Sequence, residues 1–160
     1  MARPASQPEN FLDGYLPYLL RRADQTLSAP FYAVLTRYGI ARSEWRALAV
    51  LHQFGAMGVL ELADAALSPQ PTVTHAVRRL EQRGLVSRRP GTTDRRQRII
   101  SITPSGAELT GRLIVEAEAL AADALCEAGD LRDLVHQLDE LTDAVATHIA
   151  TSTPRQESTG

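Results

Sequence analysis

Between two polar ends, the apolar positions of this 160-residue chain fall into six stretches of helical spacing and one pair of short extended runs. The first stretch, residues 17–38, carries Leu19, Leu20, Leu27 and Val34 as apolar anchors. Gly39 closes it, and Pro30 inside it is expected to kink or break it. The second, residues 42–54, puts Trp45, Leu48, Leu51 and Phe54 on its buried side and closes at Gly55. The third, residues 59–66, is short and alanine-rich, suited to close packing. After the turn Leu67-Ser68-Pro69, a fourth helix runs to Arg83 and stops at Gly84. Residues 85–89 and 98–102 are β-prone and flank the loop-forming Pro90-Gly91-Thr92-Thr93-Asp94, which predicts a hairpin with a charged tip. A fifth helix opens at Thr103-Pro104, with a capping residue followed by proline at the first helical position. Leu109, Leu113, Ala117, Leu120 and Ala124 recur along it. The sixth opens at Asp130, with Asp133 placed as in a capping box, and carries Leu131, Leu134, Leu138, Leu141, Val145 and Ile149.

Length and composition fit one soluble, mostly helical domain able to bury a core. No apolar run approaches the roughly 20 residues that span a bilayer, so no membrane partner is expected. The first ten residues carry proline and polar side chains without a secretory pattern, and both ends are expected to fray. Cys126, the one cysteine, has no internal partner for a disulfide, and a reducing cytoplasm is the simplest location.

The net charge of −2 argues weakly against a polyanionic partner, but its distribution argues for one. Residues 69–98 hold eight arginines against Glu81 and Asp94, a balance of +6, and the remainder is acidic. Lysine is absent, so every basic contact would come from a planar, multi-donor guanidinium. On a helical wheel, Val73, Val77 and Leu80 turn inward. Pro71, His75, Arg78 and Gln82 lie opposite, flanked by Thr74 and Arg79. Most faces of this kind are merely solvated. This one follows a short helix and a tight turn and precedes a basic hairpin, the order in which a helix enters a major groove with a wing beside it. At the hairpin tip, Asp94 can accept hydrogen bonds from Arg96 and hold its guanidinium outward, a fit for a narrow minor groove. A solubilising charged turn is the plainer reading of the same residues.

The run Leu80-Glu81-Gln82-Arg83-Gly84-Leu85-Val86, followed by Asp94-Arg95-Arg96-Gln97-Arg98-Ile99-Ile100-Ser101-Ile102-Thr103, resembles the signature of the MarR family. Pro71-Thr72-Val73-Thr74 resembles the start of that family's recognition helix, and the likeness extends over residues 16–149. Two positions depart from the pattern. Ala41 stands where a capping Ser or Thr is common, and Ile102 stands for Leu. The resemblance implies a mainly α, winged helix-turn-helix fold of six helices plus a small β-hairpin wing in a single domain, 1–160. Residues 42–103 would form the DNA-binding part, with long dimerisation helices at 11–38 and 104–150. It implies a homodimer reading a pseudo-palindromic double-stranded DNA, and a ligand-released repressor. Carried over by position, Gln70, Thr72, Thr74, His75 and Arg78 face the major groove, and Asp94 and Arg96 form the wing pair. Arg79 and Arg95 join them as cationic contacts. The dimer also follows from the residues themselves. Ten acids against two arginines in 105–150 keep those helices off DNA, and their apolar stripes are long for a chain of this size.

The resemblance places an effector pocket between the first, second and fifth helices and the DNA-binding head. Tyr15, Tyr18, Arg21, Arg22, Tyr32, Trp45, Arg46 and His52 fall in that region. Of these, Tyr18, Arg22, Trp45 and His52 are the candidate ligand contacts, suited to a small aromatic carboxylate or its coenzyme A thioester. Core packing is the plain alternative for Trp45 and His52, and a solvated helix face for the arginines. Cys126 raises a thiol-based redox reading, which its acidic surroundings disfavour. Catalysis finds no support in the motifs. His75, His136 and His148 lack metal-ligand spacing, and there is no glycine-rich phosphate loop, nucleophile elbow or implied cofactor. A winged helix used only for protein–protein assembly is the other rival, and it would not need eight clustered arginines.

Overall fold

The computed structural model describes residues 10–91, 98–126 and 129–152, and its contacts divide the chain after Ala124 into two units. In the first unit, α1 (Phe11–Gly14) is a single turn, followed by α2 (Leu16–Arg37) and α3 (Arg42–Phe54). Then come β1 (Met57–Gly58), α4 (Val59–Ala65), α5 (Gln70–Gln82), β2 (Val86–Pro90), β3 (Arg98–Ile102) and α6 (Pro104–Leu125), whose last residue reaches the second unit. The described part of the second unit centres on α7 (Arg132–Ser152). The architecture is the expected one, mainly helical with a small antiparallel sheet.

α2 runs through Pro30 as one helix, so of the expected kink or break the break does not occur. A proline inside a helix costs about 3 kcal/mol. Phe31, Val34 and Leu35, all buried just beyond it, each return roughly 1.5–3 kcal/mol. Packing therefore outweighs the lost backbone bond. Upstream of Pro30 the helix has no buried residue. Of the four expected anchors only Val34 is in the core, while Leu20 and Leu27 are exposed.

α3 also differs from the wheel. Its buried face is Glu44, Ala47, Leu48, Val50 and Leu51, with Trp45 only half-buried and Phe54 exposed at the helix end. The expected hairpin is part of a three-stranded antiparallel sheet in the order β1-β3-β2, with Met57 opposite Ile100 and Val86 opposite Ile102. β1 is two residues long, too short to show an alternating pattern.

One core joins these elements. Leu35, Leu48, Leu51, Leu62, Val73, Val77, Leu80, Ile100 and Leu113 are almost wholly buried within it. α6 is seated by Thr103, whose hydroxyl donates to the Gly84 carbonyl at 2.7 Å and accepts the Gly106 amide at 3.1 Å. A single capping side chain thus ties the start of α6 to the end of α5. α7 begins at Arg132, two residues after the expected start, where Asp130 accepts the Arg132 amide at 3.0 Å; among the described residues no Asp133 side-chain bond completes a capping box. α7 has no buried residue. Leu134, Val135, Leu141, Val145 and Ile149 are exposed along it.

Candidate nucleic-acid interface

α5 is amphipathic, and its packing decides where its polar residues point. Val73, Ala76, Val77 and Leu80 are buried against the α3 and α4 side of the core. Gln70, Pro71, Thr72, Thr74, His75, Arg78 and Arg79 are all exposed. The helix opens after Pro69 with no side-chain cap, so the Gln70 and Thr72 amides of its first turn are unpaired by any cap. It ends at Gln82, and Gly84 two residues on adopts a positive φ of 69° that lets the chain reverse into β2. The preceding turn is tight, with Leu67 itself at a φ of 50°.

An open groove of about 480 Å³ lies along α5 and beside β2, lined by Gln70, Pro71, Thr74, His75, Arg78 and Arg88. Its wall combines short polar side chains near the helix start with two guanidiniums further along. Arg88 went unrecognised as a site residue in the sequence, because only its charge was visible there. In the structure its Nε lies 3.1 Å from a carboxylate oxygen of Glu81, the next-to-last residue of α5, and this pairing holds it at the groove.

Thr72 and Arg79 do not line the groove; both lie on the other flank of α5. Arg79 Nε lies 2.7 Å from Oε1 of Glu44, a carboxylate with almost no exposure. The other oxygen of Glu44 accepts the Ala41 amide at 2.7 Å, half of a capping box at the start of α3. Arg83, one turn beyond Arg79, lies 4.0 Å from Glu44 and donates to the carbonyls of Gly39 and Tyr38 at 2.7 and 3.2 Å. Among the described residues Arg78 makes no ion pair. The three arginines of α5 and its cap therefore divide: two face the protein and one faces the groove. The wing residues Asp94, Arg95 and Arg96 lie outside the described residues.

The four candidate effector contacts are not gathered in one place. Arg22 sits over the Tyr18 ring at 5.9 Å, and both are exposed. Trp45 meets Phe31 edge-on at 4.9 Å, and His52 is exposed at the surface of α3. A different set does converge. Arg21, Asp24, Gln25, Tyr32, Arg42 and Arg46 line a cavity of about 250 Å³ between α2 and α3. There Arg42 stacks on Tyr32 at 3.6 Å. Trp45, Arg46 and Asp24 share a second, more apolar cavity of about 450 Å³ with Ala49, Val50, Ala65, Ala66 and Leu67. Arg42 carried no signal in the sequence beyond opening its helix. Cys126 is exposed in the turn after α6.

Residues 40–97 match the MarR family. The chain is 28% identical over 144 residues to the homoprotocatechuate degradative operon repressor of Escherichia coli, covering 89% of this chain and 93% of that one. The crystal structure of a MarR family transcriptional regulator from Silicibacter pomeroyi superposes with a TM-score of 0.74 at 32% identity, covering 86% of this chain and 99% of that one. The structure of Bordetella bronchiseptica BpsR, whose DNA binding is regulated by 6-hydroxynicotinic acid, superposes with a TM-score of 0.71 at 25% identity, covering 86% and 99%. The helix-turn-helix geometry of α4 and α5, the sheet beside it and these likenesses agree: the chain belongs to the MarR family of transcriptional regulators.

Proposed function

We propose that the protein is a homodimeric repressor that binds a pseudo-palindromic DNA through α5 and the wing and is released by a small aromatic acid. The groove along α5 carries this reading. It offers hydroxyl, amide and imidazole groups from Gln70, Thr74 and His75, where base edges would lie, with Arg78 and Arg88 behind them. Thr72 would meet the phosphate flank at the first turn. Asp94, Arg95 and Arg96 would serve as the wing, with Arg96 in the minor groove. Two copies would join through the unburied apolar residues of α7 and the first half of α2, setting the α5 helices about 10 base pairs apart.

The effector reading draws on BpsR and on the paired cavities at Arg46. Arg21, Arg42 and Arg46 supply bidentate donors for a carboxylate, and Tyr32 and Trp45 supply ring surfaces. Cavities of about 250 and 450 Å³ suit the free acid, and a coenzyme A thioester would leave most of its nucleotide outside.

Equilibrium binding to a duplex selected from random sequence tests the reading. Between about 50 and 200 mM salt, affinity should fall linearly on a double-logarithmic plot and steeply enough to report several phosphate contacts. Arg96→Ala should weaken binding to all sequences. Benzoate or a hydroxycinnamate should release the duplex, and coenzyme A thioesters should do so no better. Salt-independent binding would contradict the DNA reading, and failure of every aromatic acid would contradict the effector reading alone.

A further inference from the structure

We propose that Arg79 is a positioning residue that acts through buried Glu44 to set the rotation of the recognition helix, and does not itself contact DNA. This deepens the DNA reading above and rests on it. Three observations carry it. Glu44 is wholly buried, so its charge requires a partner inside the protein, and Arg79 supplies one at 2.7 Å. Arg79 and Arg83 are four residues apart, on one flank of α5. Both meet the corner where α2 ends and α3 begins: Arg79 through Glu44, Arg83 through the Gly39 and Tyr38 carbonyls. The second half of α5 is therefore held to that corner at two points one turn apart. Finally, Arg79 is absent from the groove wall that Arg78 lines.

The helix geometry supplies the consequence. Successive residues project about 100° apart. With Arg79 held toward α3, Arg78 has to project into the groove, and His75 and Thr74 follow in register one turn earlier. The packing of Val73, Val77 and Leu80 decides which face of α5 is buried, and the charged pair with its buried partner adds a directional restraint that aliphatic contacts lack. Glu44 also anchors the first turn of α3 by accepting the Ala41 amide, so the carboxylate orients one helix by its start and a second by its flank.

A phosphate-contacting arginine and a positioning arginine leave different marks. Removing a phosphate contact weakens all DNA alike and lowers the salt slope by about 0.9. Removing a positioning residue leaves the phosphate count intact but blurs the register on which base contacts depend. The full-length protein is measured against the selected duplex and an unrelated duplex across a salt series. For Arg79→Ala, the preference for the selected duplex should fall about tenfold, a loss comparable to one base contact. Its salt slope should match wild type. For Glu44→Gln, the amide oxygen still accepts the Ala41 N–H, while Arg79 loses its carboxylate and becomes available to a phosphate. The preference should fall again, and the slope should rise by up to about 0.9. If Glu44→Gln does not fold, the exposed Arg79→Ala decides the matter alone. A slope lowered by about 0.9 with preference retained, or a variant indistinguishable from wild type, would overturn the proposal. A wild-type protein without preference for any duplex would overturn the DNA reading itself.

Discussion

A methyl group at Gly106 would overlap the Leu85 carbonyl oxygen and press on Ile102, so this position admits glycine alone. The close approach follows from the Thr103 cap, which draws the start of α6 onto the end of α5. Gly106→Ala should destabilise the fold by about 1–3 kcal/mol, since the clash is with backbone and can be relieved only by moving α6. Thermal or urea unfolding checks this, and a variant as stable as wild type would contradict the packing. Tyr38 gives a second test. Its hydroxyl donates to Glu116 at 2.9 Å. That hydrogen bond first, and the carboxylate's charge second, raise the phenol pKa above its usual value of 10.0. The native protein therefore keeps a proton that the unfolded chain releases near pH 10. The bond's contribution is complete below about pH 10 and is lost as pH rises through the native value. Urea midpoints measured up to pH 11 should fall faster in wild type than in Tyr38→Phe, and parallel curves would contradict the assignment.

Among the elements, α5 was the most legible in the sequence. Its apolar positions recur strictly, its end is marked by Gly84, and Val73, Val77 and Leu80 are all buried as the spacing requires. What the spacing could not convey is the partner of each charge. The arginine cluster read as one basic stripe, yet Arg79 and Arg83 turn to the α2–α3 corner and Arg88 is held by Glu81. Ion pairing between distant segments leaves no local periodicity. The same limit explains the effector region, where Arg42 and Tyr32 meet across two helices. Pro30 does not end its helix, because the core contacts beyond it outweigh the one lost bond that a local rule weighs. At this scale the groove makes a definite prediction. Arg88→Ala should lower affinity for the selected duplex about tenfold or more. Glu81→Ala, which frees Arg88 from its carboxylate, should lower preference more than total affinity. Fluorescence anisotropy with matched and unrelated duplexes distinguishes the two. Unchanged binding by Arg88→Ala would remove β2 from the interface.

For the whole molecule, the amount of apolar surface left uncovered in one copy is the informative feature. Among the described residues α7 has no fully buried side chain and α2 has none before Pro30, although both carry regularly spaced leucines and other apolar residues. Leu141→Asp together with Val145→Asp should shift the protein from dimer toward monomer in sedimentation equilibrium. Loss of the second head should then lower affinity for a two-half-site duplex by about a hundredfold or more. A double variant that stays dimeric would place the interface elsewhere. The central claim, however, is that the outer face of α5 reads DNA sequence, and in vitro selection from random duplexes tests it most directly. Wild type should enrich a two-fold symmetric site, and His75→Ala should enrich a site altered at the same one or two positions in each half, with the remaining positions and the half-site spacing unchanged. An identical site enriched by His75→Ala and by a Thr74→Ala, Arg78→Ala double variant would contradict the claim.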